Sequence, residues 1–358
     1  MASSISHPRI ILGMSTTGPD PQSGARVTDI NEATAILDYF KSRGYTEIDT
    51  ARVYNKGKQE GFLRQMRWRE KEMHVATKII HPRNGFTNSA YDVTQSLETS
   101  LKELGTASVD ILYLHSADRS RPFEETLEML DQHYRAGKFR QLGLSNFAAY
   151  EVAEIVTICR HRGWIQPTVY EALYNCMQRG IEAELVPVCR RYGIALTVYS
   201  VTAGGMLSGK IQKDDSFSIP ETSRFSNKYG GPGNNYKARY LKDAVFEARN
   251  VIEQAASKHN IPLLEAVWRW TVHHSALRVT TAAKGFDPAN KDGIIIGVSS
   301  VPQLQQNLDD VEKGPLPENV AAAFDEAWAI AKSEVVNYYQ GTLEYTYDAP
   351  AVLFRESS

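Results

Sequence analysis

Residues 45–54 read Tyr-Thr-Glu-Ile-Asp-Thr-Ala-Arg-Val-Tyr. The first half of this stretch is typical of a short buried strand, which places Asp49 at the carboxyl end of the strand and Tyr54 just beyond it. Two later stretches repeat the arrangement, because Lys78 closes His-Val-Ala-Thr-Lys and His115 closes Val-Asp-Ile-Leu-Tyr-Leu-His. In a parallel β/α barrel the carboxyl ends of all strands meet at one rim, where active sites lie. The pattern therefore predicts a barrel with four polar side chains on this rim.

Predicted strands and helices alternate along most of the chain. Strands are predicted at residues 9–14, 45–50, 74–79, 109–115, 139–145, 168–173, 194–200 and 293–298. Helices are predicted at residues 29–43, 57–66, 88–104, 123–136, 148–162, 182–192, 239–259, 262–274 and 301–311. This alternation favours an α/β fold of the (β/α)8 TIM barrel type. An open doubly wound sheet is the alternative, but Gly-Met-Ser-Thr-Thr-Gly after the first strand does not match the dinucleotide-binding fingerprint.

The domain organisation predicted from this pattern is a single barrel domain over residues 1–358. Residues 212–238 are polar and lack periodicity, so they are predicted to form a long loop that is either a functional lid or disordered. Residues 334–358 are predicted to form a C-terminal extension over the barrel rim. This segment is too aromatic for a solvated tail and is expected to pack on the body of the protein.

Composition excludes several classes of partner. The net charge is −2 over 358 residues, which gives no general attraction to nucleic acid or to acidic membranes. No stretch approaches about 18 apolar residues, and the N-terminus lacks an apolar signal core. The three cysteines show neither metal-ligand spacing nor an even disulfide set, which fits a reducing compartment. We therefore expect a cytoplasmic protein with no metal, nucleic-acid or membrane partner.

The four rim residues suit proton transfer as a set. A tyrosine has an ordinary pKa of about 10, so Tyr54 needs help to transfer a proton near neutral pH. A neighbouring Lys78 would lower that pKa, and a buried Asp49 would hold the lysine in place. Taken singly, each residue has an ordinary alternative, since an aspartate after a strand is usually a cap and His115 could be a satisfied core residue. Their order along the predicted barrel favours the functional interpretation.

The order of these four side chains in a predicted barrel resembles the aldo-keto reductases. Three further segments resemble the segments of that family that hold a nicotinamide cofactor. Gly-Leu-Ser-Asn at 143–146 resembles the one for the carboxamide, 199–210 the one for ring stacking and pyrophosphate, and 294–307 the one for adenosine phosphate. The resemblance runs from about residue 9 to 340. It is strongest to the aflatoxin-aldehyde reductase branch, which also includes succinic semialdehyde reductases.

The resemblance implies NADP(H)-dependent reduction of an aldehyde or ketone to an alcohol. Tyr54 would be the general acid, and His115 would supply a hydrogen bond to the carbonyl oxygen or help relay the proton. Lys78 and Asp49 would tune Tyr54. No metal would be required, because the cofactor carries the hydride chemistry.

Cofactor-binding residues also follow from the resemblance. They are Ser145, Asn146, Glu171, Tyr199, Ala203, Gly204, Gly205, Lys210, Gly297, Ser299, Ser300, Gln303, Gln306 and Asn307. Tyr199 is expected to stack on the nicotinamide ring and Lys210 to contact phosphate. Ser299, Ser300 and Gln303 resemble groups that receive a 2′-phosphate, which favours NADP(H) over NAD(H). The two serines also read as a helix cap, and the free N–H groups of a helix N-terminus bind phosphate as well.

The chain departs from the family pattern at two places. Glu171 stands where the family usually has a glutamine, and an ionised carboxylate there would favour the positively charged oxidised ring unless it takes up a proton. Residues 337–340 lack the arginine with which the branch can bind a substrate carboxylate. Arg239 offers a cationic contact, with phosphate or solvent as equal alternatives. The aromatic tail expected over the pocket suggests a larger and less charged carbonyl substrate.

A second class of function remains open from the sequence. Potassium-channel β subunits resemble the same family, keep the same rim residues and bind a nicotinamide cofactor as regulatory subunits. The enzyme interpretation predicts a small-molecule carbonyl substrate as the partner, and a homodimer is the candidate assembly. Turnover against a panel of aldehydes separates the two classes.

Overall fold

The computed structural model describes residues 7–83, 85–213, 219, 223–226, 233–281 and 291–353. Eight parallel strands close into a barrel, in which each strand pairs with the next along the chain and the last pairs with the first. The strands are β1 Ile10–Gly13, β2 Glu47–Asp49, β3 His74–Lys78, β4 Val109–Leu114, β5 Phe139–Ser145, β6 Pro167–Leu173, β7 Ala195–Tyr199 and β8 Gly293–Gly297. The predicted (β/α)8 TIM barrel is therefore confirmed, and the open sheet is excluded.

Helices follow the strands as the sequence predicts. They are α1 Ile30–Ser42, α2 Gln59–Gln65, α3 Ala90–Leu104, α4 Phe123–Arg135, α5 Ala149–Arg162, α6 Leu185–Tyr192, α7 Gly233–Tyr240, α8 Asp243–Ser257, α9 Leu263–His273, α10 Val301–Val311, α11 Glu318–Ala331 and α12 Ala349–Leu353. Helices α11 and α12 are absent from the sequence prediction, which also assigned most of α7 to a loop. Helix α11 packs against α8. A two-residue antiparallel pair, His7–Pro8 with Thr280–Thr281, was also not predicted.

Local sequence explains where the helices begin and end. Asp29 caps α1 by accepting the backbone N–H groups of the second and third helical residues, at 2.8 and 3.0 Å. The buried face of that helix contains Ile36 and Phe40, which the helical spacing of apolar residues predicted. Helix α3 starts after the cap Ser89 and stops at Gly105, whose φ of 71° is easy for glycine and costly for other residues.

The strand register places alternate side chains inside the barrel. A small interior cluster of Ala76, Ile111, Tyr113 and Val169 is separate from the larger core between the barrel and its helices. The register sets Glu171 beside Ser145 on one side and Thr197 on the other, near the carboxyl ends of β5, β6 and β7. The interior side chains above the apolar cluster therefore face the rim where the site was predicted.

The two irregular segments predicted from the sequence differ in what is described. Residues 214–218, 220–222 and 227–232 of the predicted loop lie outside the described residues, whereas α7 takes up its last part, from residue 233. The described residues of the C-terminal extension make two backbone contacts with the loops after β4 and β5. The backbone N–H of Gln340 donates to the carbonyl oxygen of Asn146 at 3.1 Å, and that of Thr346 donates to the carbonyl oxygen of Arg119 at 3.0 Å.

In the parts of the chain that the structure describes, no helix combines the length and the apolar character needed to cross a membrane. The three cysteines are all buried as free thiols.

Candidate active site

A buried ion pair lies at the carboxyl ends of β2 and β3. Lys78 Nζ is 2.5 Å from Asp49 Oδ1, and it also donates to the carbonyl oxygen of Thr50 at 3.1 Å. Burial disfavours the charge on Lys78, but the facing acidic groups, first Asp49 and then Glu171, outweigh it and raise the pKa of Lys78 well above its ordinary value. The lysine therefore stays protonated at neutral pH.

Tyr54 begins the turn that follows β2, which brings its ring over this pair. Lys78 Nζ is 5.4 Å from the centre of the Tyr54 ring. Burial is the largest influence on Tyr54 and raises the pKa of its hydroxyl, while the charge of Lys78 lowers it by less. The expected lowering by lysine is present but outweighed. The hydroxyl keeps its proton at neutral pH, which suits an acid rather than a base.

His115 completes the predicted set, and the structure adds a second histidine. The rings of Tyr54 and His115 meet edge to face with their centres 6.3 Å apart. His81 stacks on His115 with ring centres 3.7 Å apart, and its Nδ1 lies 2.9 Å from Ser116 Oγ. Burial, followed by the neighbouring His81 and Lys78, holds the pKa of His115 well below its ordinary value, so the imidazole is neutral. The pKa of His81 is lowered to about 3, first by burial.

Glu171 lies in the ion-pair cluster itself, which sequence reasoning did not anticipate. Its Oε2 is 3.1 Å from Lys78 Nζ, and the residue is 3% exposed. Burial and the nearby carboxylate of Asp49 raise the pKa of Glu171 to about 8 against the lowering effect of Lys78. The carboxyl group is therefore largely protonated at neutral pH, whereas a glutamate with its ordinary pKa would be ionised.

The side chains predicted to hold the carboxamide form one connected group next to His115. Ser145 Oγ donates to the carbonyl oxygen of Glu171 at 3.0 Å, and Asn146 Nδ2 donates to the carbonyl oxygen of His115 at 2.9 Å. The hydroxyl of Tyr199 donates to Asn146 Oδ1 at 3.0 Å. Asn146 has a φ of 62°, which is uncommon for a residue other than glycine, so its orientation is maintained by these contacts.

The predicted phosphate segments have features that suit an anion. The turn Ala203–Ser208 contains Gly204 and Gly205 with φ values of 68° and 101°, and a side chain at Gly204 would collide with the ring of Tyr236. Ser299 and Ser300 lie exposed at the N-terminus of α10. Exposed N–H groups and the dipole at a helix N-terminus favour phosphate.

Other predicted cofactor residues divide into free and engaged side chains. Lys210 is exposed, and the space beside Gly297 is open. Gln303 Oε1 accepts the backbone N–H of Ser299 at 2.8 Å. Gln306 donates to both carboxylate oxygens of Asp310 at 3.0 Å, and buried Asn307 accepts from Trp268 at 3.1 Å, so these two side chains have structural partners.

Two arginines near the glycine turn were missed by sequence reasoning. Arg224 donates to Ser15 Oγ at 2.6 Å, and its guanidinium lies 5.9 Å from the centre of the Tyr236 ring. Burial, and then the like charge of Arg224, lower the pKa of Arg26 to about 10. An anionic ligand would relieve this repulsion. The arginines lie in irregular segments, where periodicity gives no signal.

A buried polar atom in this region has hydrogen-bonding capacity left for a ligand. His115 Nδ1 has no hydrogen-bond partner among the described residues, and Glu171 Oε2 has its ion-pair contact with Lys78 Nζ. Buried polar atoms without partners are rare in folded proteins, and a ligand is one common reason for them. Together with the glycine turn and the exposed helix N-terminus, the free nitrogen of His115 fits an extended dinucleotide and a polar substrate. Over the described residues, no cluster of three or more His, Cys, Asp and Glu side chains could hold a metal ion.

The rim of this closed parallel barrel holds a buried Lys–Asp pair, a protonated tyrosine and a neutral histidine. These groups suit a protein that transfers a proton. The model of the Aldo/keto reductase family matches residues 9–329, and the chain therefore belongs to the aldo/keto reductase family. Membership indicates an oxidoreductase that acts on carbonyl groups, and the resemblance drawn from the sequence is confirmed at the level of the family.

Curated relatives agree with this assignment. The chain is 38% identical to aflatoxin B1 aldehyde reductase member 2 of Mus musculus over 93% of its own length and 88% of the relative. It is 38% identical to aldo-keto reductase family 7 member A3 of Homo sapiens, with 93% and 97% covered. An aldo-keto reductase of Pseudocercospora fijiensis is 37% identical, with 85% of this chain and the whole of the relative covered.

Proposed function

We propose that the chain reduces an aldehyde or ketone to the alcohol with NADPH, and that Tyr54 is the general acid. The observation that carries this proposal is the contact of Lys78 with Asp49 at 2.5 Å, with Lys78 Nζ also 5.4 Å from the centre of the half-buried Tyr54 ring. Tyr54 combines a hydroxyl that keeps its proton with a neighbouring cation that can stabilise the phenolate left after proton transfer.

The residues divide the work of proton transfer. A bound NADPH supplies the hydride. Tyr54 donates its proton to the carbonyl oxygen, and Lys78 stabilises the phenolate that this leaves. Asp49 holds the ammonium in place, and neutral His115 offers a hydrogen bond to the same oxygen. A positioned general acid contributes roughly 10²–10⁴-fold in rate.

A second set of residues accounts for cofactor binding in this proposal. Ser145, Asn146 and Tyr199 form the connected group that would hold the nicotinamide end. The N-terminus of α10, at Ser299 and Ser300, would receive the 2′-phosphate, which favours NADP(H) over NAD(H). The paired arginines near the glycine turn would neutralise the remaining phosphates.

The substrate class is an uncharged aldehyde or ketone of some size. The relatives include proteins named as aflatoxin B1 aldehyde reductases, which supports an aldehyde. The tail segment 337–340 does not carry an arginine for a substrate carboxylate. We therefore propose that small charged substrates such as succinic semialdehyde are reduced poorly.

A panel of carbonyl compounds tests the proposal. Purified protein is mixed with NADPH and with aromatic, aliphatic and carboxylate-bearing aldehydes and ketones, and the loss of NADPH absorbance and the alcohol product are measured. Binding of NADPH is measured separately by quenching of tryptophan fluorescence. We expect tight binding and turnover of the larger uncharged aldehydes. Tight binding without turnover of any compound would contradict the proposal and favour a nicotinamide-binding regulatory subunit.

A further inference from the structure

The site holds two carboxyl groups for one ammonium. Asp49 Oδ1 is 2.5 Å from Lys78 Nζ, and Glu171 Oε2 approaches the same nitrogen to 3.1 Å from another strand. All three residues are at most 3% exposed. The single positive charge of Lys78 neutralises one carboxylate. The second carboxyl group is therefore more stable in its protonated, uncharged form.

Every charged neighbour of Glu171 bears on its protonation. The titratable groups that face it are Lys78, Asp49, Tyr54, Tyr113 and Tyr199. Only the first of these favours an ionised Glu171. A buried carboxylate without a full counter-charge is costly, which agrees with the pKa of about 8 given above.

We propose that Glu171 stores the proton that replaces the one lost by Tyr54, and passes it through Lys78. The proposal rests on the proposed carbonyl reduction. Tyr54 gives its proton to the substrate oxygen, one N–H of Lys78 gives a proton to the phenolate, and the Glu171 O–H gives its proton to the lysine nitrogen. The net change is one O–H bond broken on Glu171 and one formed on the alcohol. Tyr54 and Lys78 return to their starting states, and Glu171 gains one negative charge.

The position of Glu171 also links its charge to the redox state of the cofactor. Its backbone carbonyl accepts from Ser145, in the segment proposed to hold the carboxamide. The oxidised nicotinamide ring carries a positive charge that the reduced ring lacks, so an ionised Glu171 is favoured when NADP⁺ is bound. Glu171 therefore loses its proton in the state that carbonyl reduction produces.

Linked proton binding gives the test a readout that does not depend on turnover. Dissociation constants of NADP⁺ and NADPH are measured from about pH 6 to about pH 10. We expect the affinity for NADP⁺ relative to NADPH to rise by up to about tenfold per pH unit below about pH 8, and to level off above it. The 2′-phosphate titrates in both cofactors alike and cancels in the ratio. A pH indicator in weak buffer should also show release of up to about one proton per site when NADP⁺ binds near pH 7.

Three variants make the result specific. Glu171→Gln keeps the size of the side chain and should abolish both the pH dependence and the proton release. Glu154→Gln is the matched control. Glu154 lies on the outer helix α5, and its pKa is also raised, to about 7, first by burial and then by Glu124 and Glu151. It should behave like wild type. Tyr54→Phe should lose turnover but keep the proton release.

The outcomes separate this inference from the proposed function. A ratio that does not change with pH in wild type, or proton release that persists in Glu171→Gln, would overturn the role of Glu171 while carbonyl reduction by Tyr54 could still stand. Absence of turnover in wild type would overturn the proposed function, whatever the proton count. Proton release by wild type and by Glu154→Gln, together with its loss in Glu171→Gln, supports the inference.

Discussion

The barrel carries a group of buried charged residues at each end. The two groups differ in whether each carboxyl group has a cation of its own. At the amino end, Arg9 meets Glu47 in a two-pronged pair, with Nη2–Oε2 at 2.7 Å and Nε–Oε1 at 2.9 Å. Asp292 pairs with Arg190 and also accepts the backbone N–H of Leu196 at 2.8 Å. Each of these two carboxylates has its own guanidinium, and Asp292 also accepts the backbone N–H of Arg278 at 2.6 Å.

At the carboxyl end, Lys78 is the one cation in contact with both Asp49 and Glu171 among the described residues, and His115 Nδ1 has no hydrogen-bond partner there. Glu47 and Asp49 lie two residues apart on the same strand, so the strand itself does not make the difference. The surroundings do. The amino end uses its charges to hold the barrel closed, and the carboxyl end leaves charge and hydrogen-bonding capacity for a ligand.

Removing the shared cation gives the largest expected effect. Lys78→Met deprives Tyr54 of the charge that stabilises its phenolate, and we expect kcat to fall by roughly 10²–10⁴-fold. NADPH should still bind, because the carboxamide and phosphate contacts remain. Steady-state kinetics and fluorescence titration check both points. Turnover close to that of wild type would show that the cluster is structural, like the one at the other end.

Breaking the pair at the amino end should affect stability instead. Arg9→Met leaves Glu47 buried without its cation, and we expect the free energy of unfolding to fall by about 3–5 kcal/mol. Denaturant unfolding measures this loss. The kcat of the folded fraction, determined at low temperature, should stay within a few-fold of wild type. A large loss of kcat in fully folded protein would mean that the two ends do not differ in role.

The cofactor choice is expected to follow from the exposed groups of the carboxyl end. NADPH should bind more tightly than NADH, because the N-terminus of α10 presents the positive end of the helix dipole and two exposed serines, with no acidic side chain at residues 299–307. Ser299→Asp should weaken NADPH binding by roughly tenfold, about 1.4 kcal/mol, and leave NADH nearly unchanged. The four dissociation constants are compared directly. Equal affinities of wild type for the two cofactors would refute the assignment of this site.

The smallest effect is expected from the C-terminal extension. Tyr345 donates to Glu151 at 2.8 Å, and Gln340 contacts the backbone of Asn146. Deleting residues 341–358 keeps the second contact and removes the first. We expect KM to rise a few-fold for bulky aldehydes and less for small ones, because only bulky substrates would lose contacts. An identical change for every substrate would point to a purely structural role.

The sequence predicted those features that depend on single strands and on neighbouring strands. Asp49 and Lys78 end β2 and β3, which are adjacent, so their contact follows from the barrel topology alone. The strand bounds follow from short apolar runs between turn signals. Helix α11 could have been predicted from the helical spacing of its apolar residues, since Val320, Phe324 and Ala327 lie on one buried face.

Features that depend on closure of the barrel were out of reach. Glu171 lies on β6 and Lys78 on β3, and their approach is fixed only when the barrel closes with this register. The stacking of His81 on His115 likewise depends on how the chain turns after β3. Sequence reasoning placed Glu171 with the cofactor because the resemblance suggested it, whereas the structure also places it against Lys78.

Separate substitution of the two tyrosines nearest Lys78 tests the role of the carboxyl end most directly. Tyr54 and Tyr113 lie equally close to Lys78, with ring centres 5.4 and 5.5 Å from Nζ, but Tyr113 points into the barrel interior, where its hydroxyl meets Thr197 at 3.3 Å. Single-turnover reduction of a good aldehyde is measured in Tyr54→Phe and Tyr113→Phe, with NADPH binding determined for both. We expect Tyr54→Phe to lose roughly 10²–10⁴-fold in rate and Tyr113→Phe only a few-fold, with binding kept in each. Near-normal turnover in Tyr54→Phe, or equal losses in the two variants, would contradict the assignment of Tyr54 as the general acid.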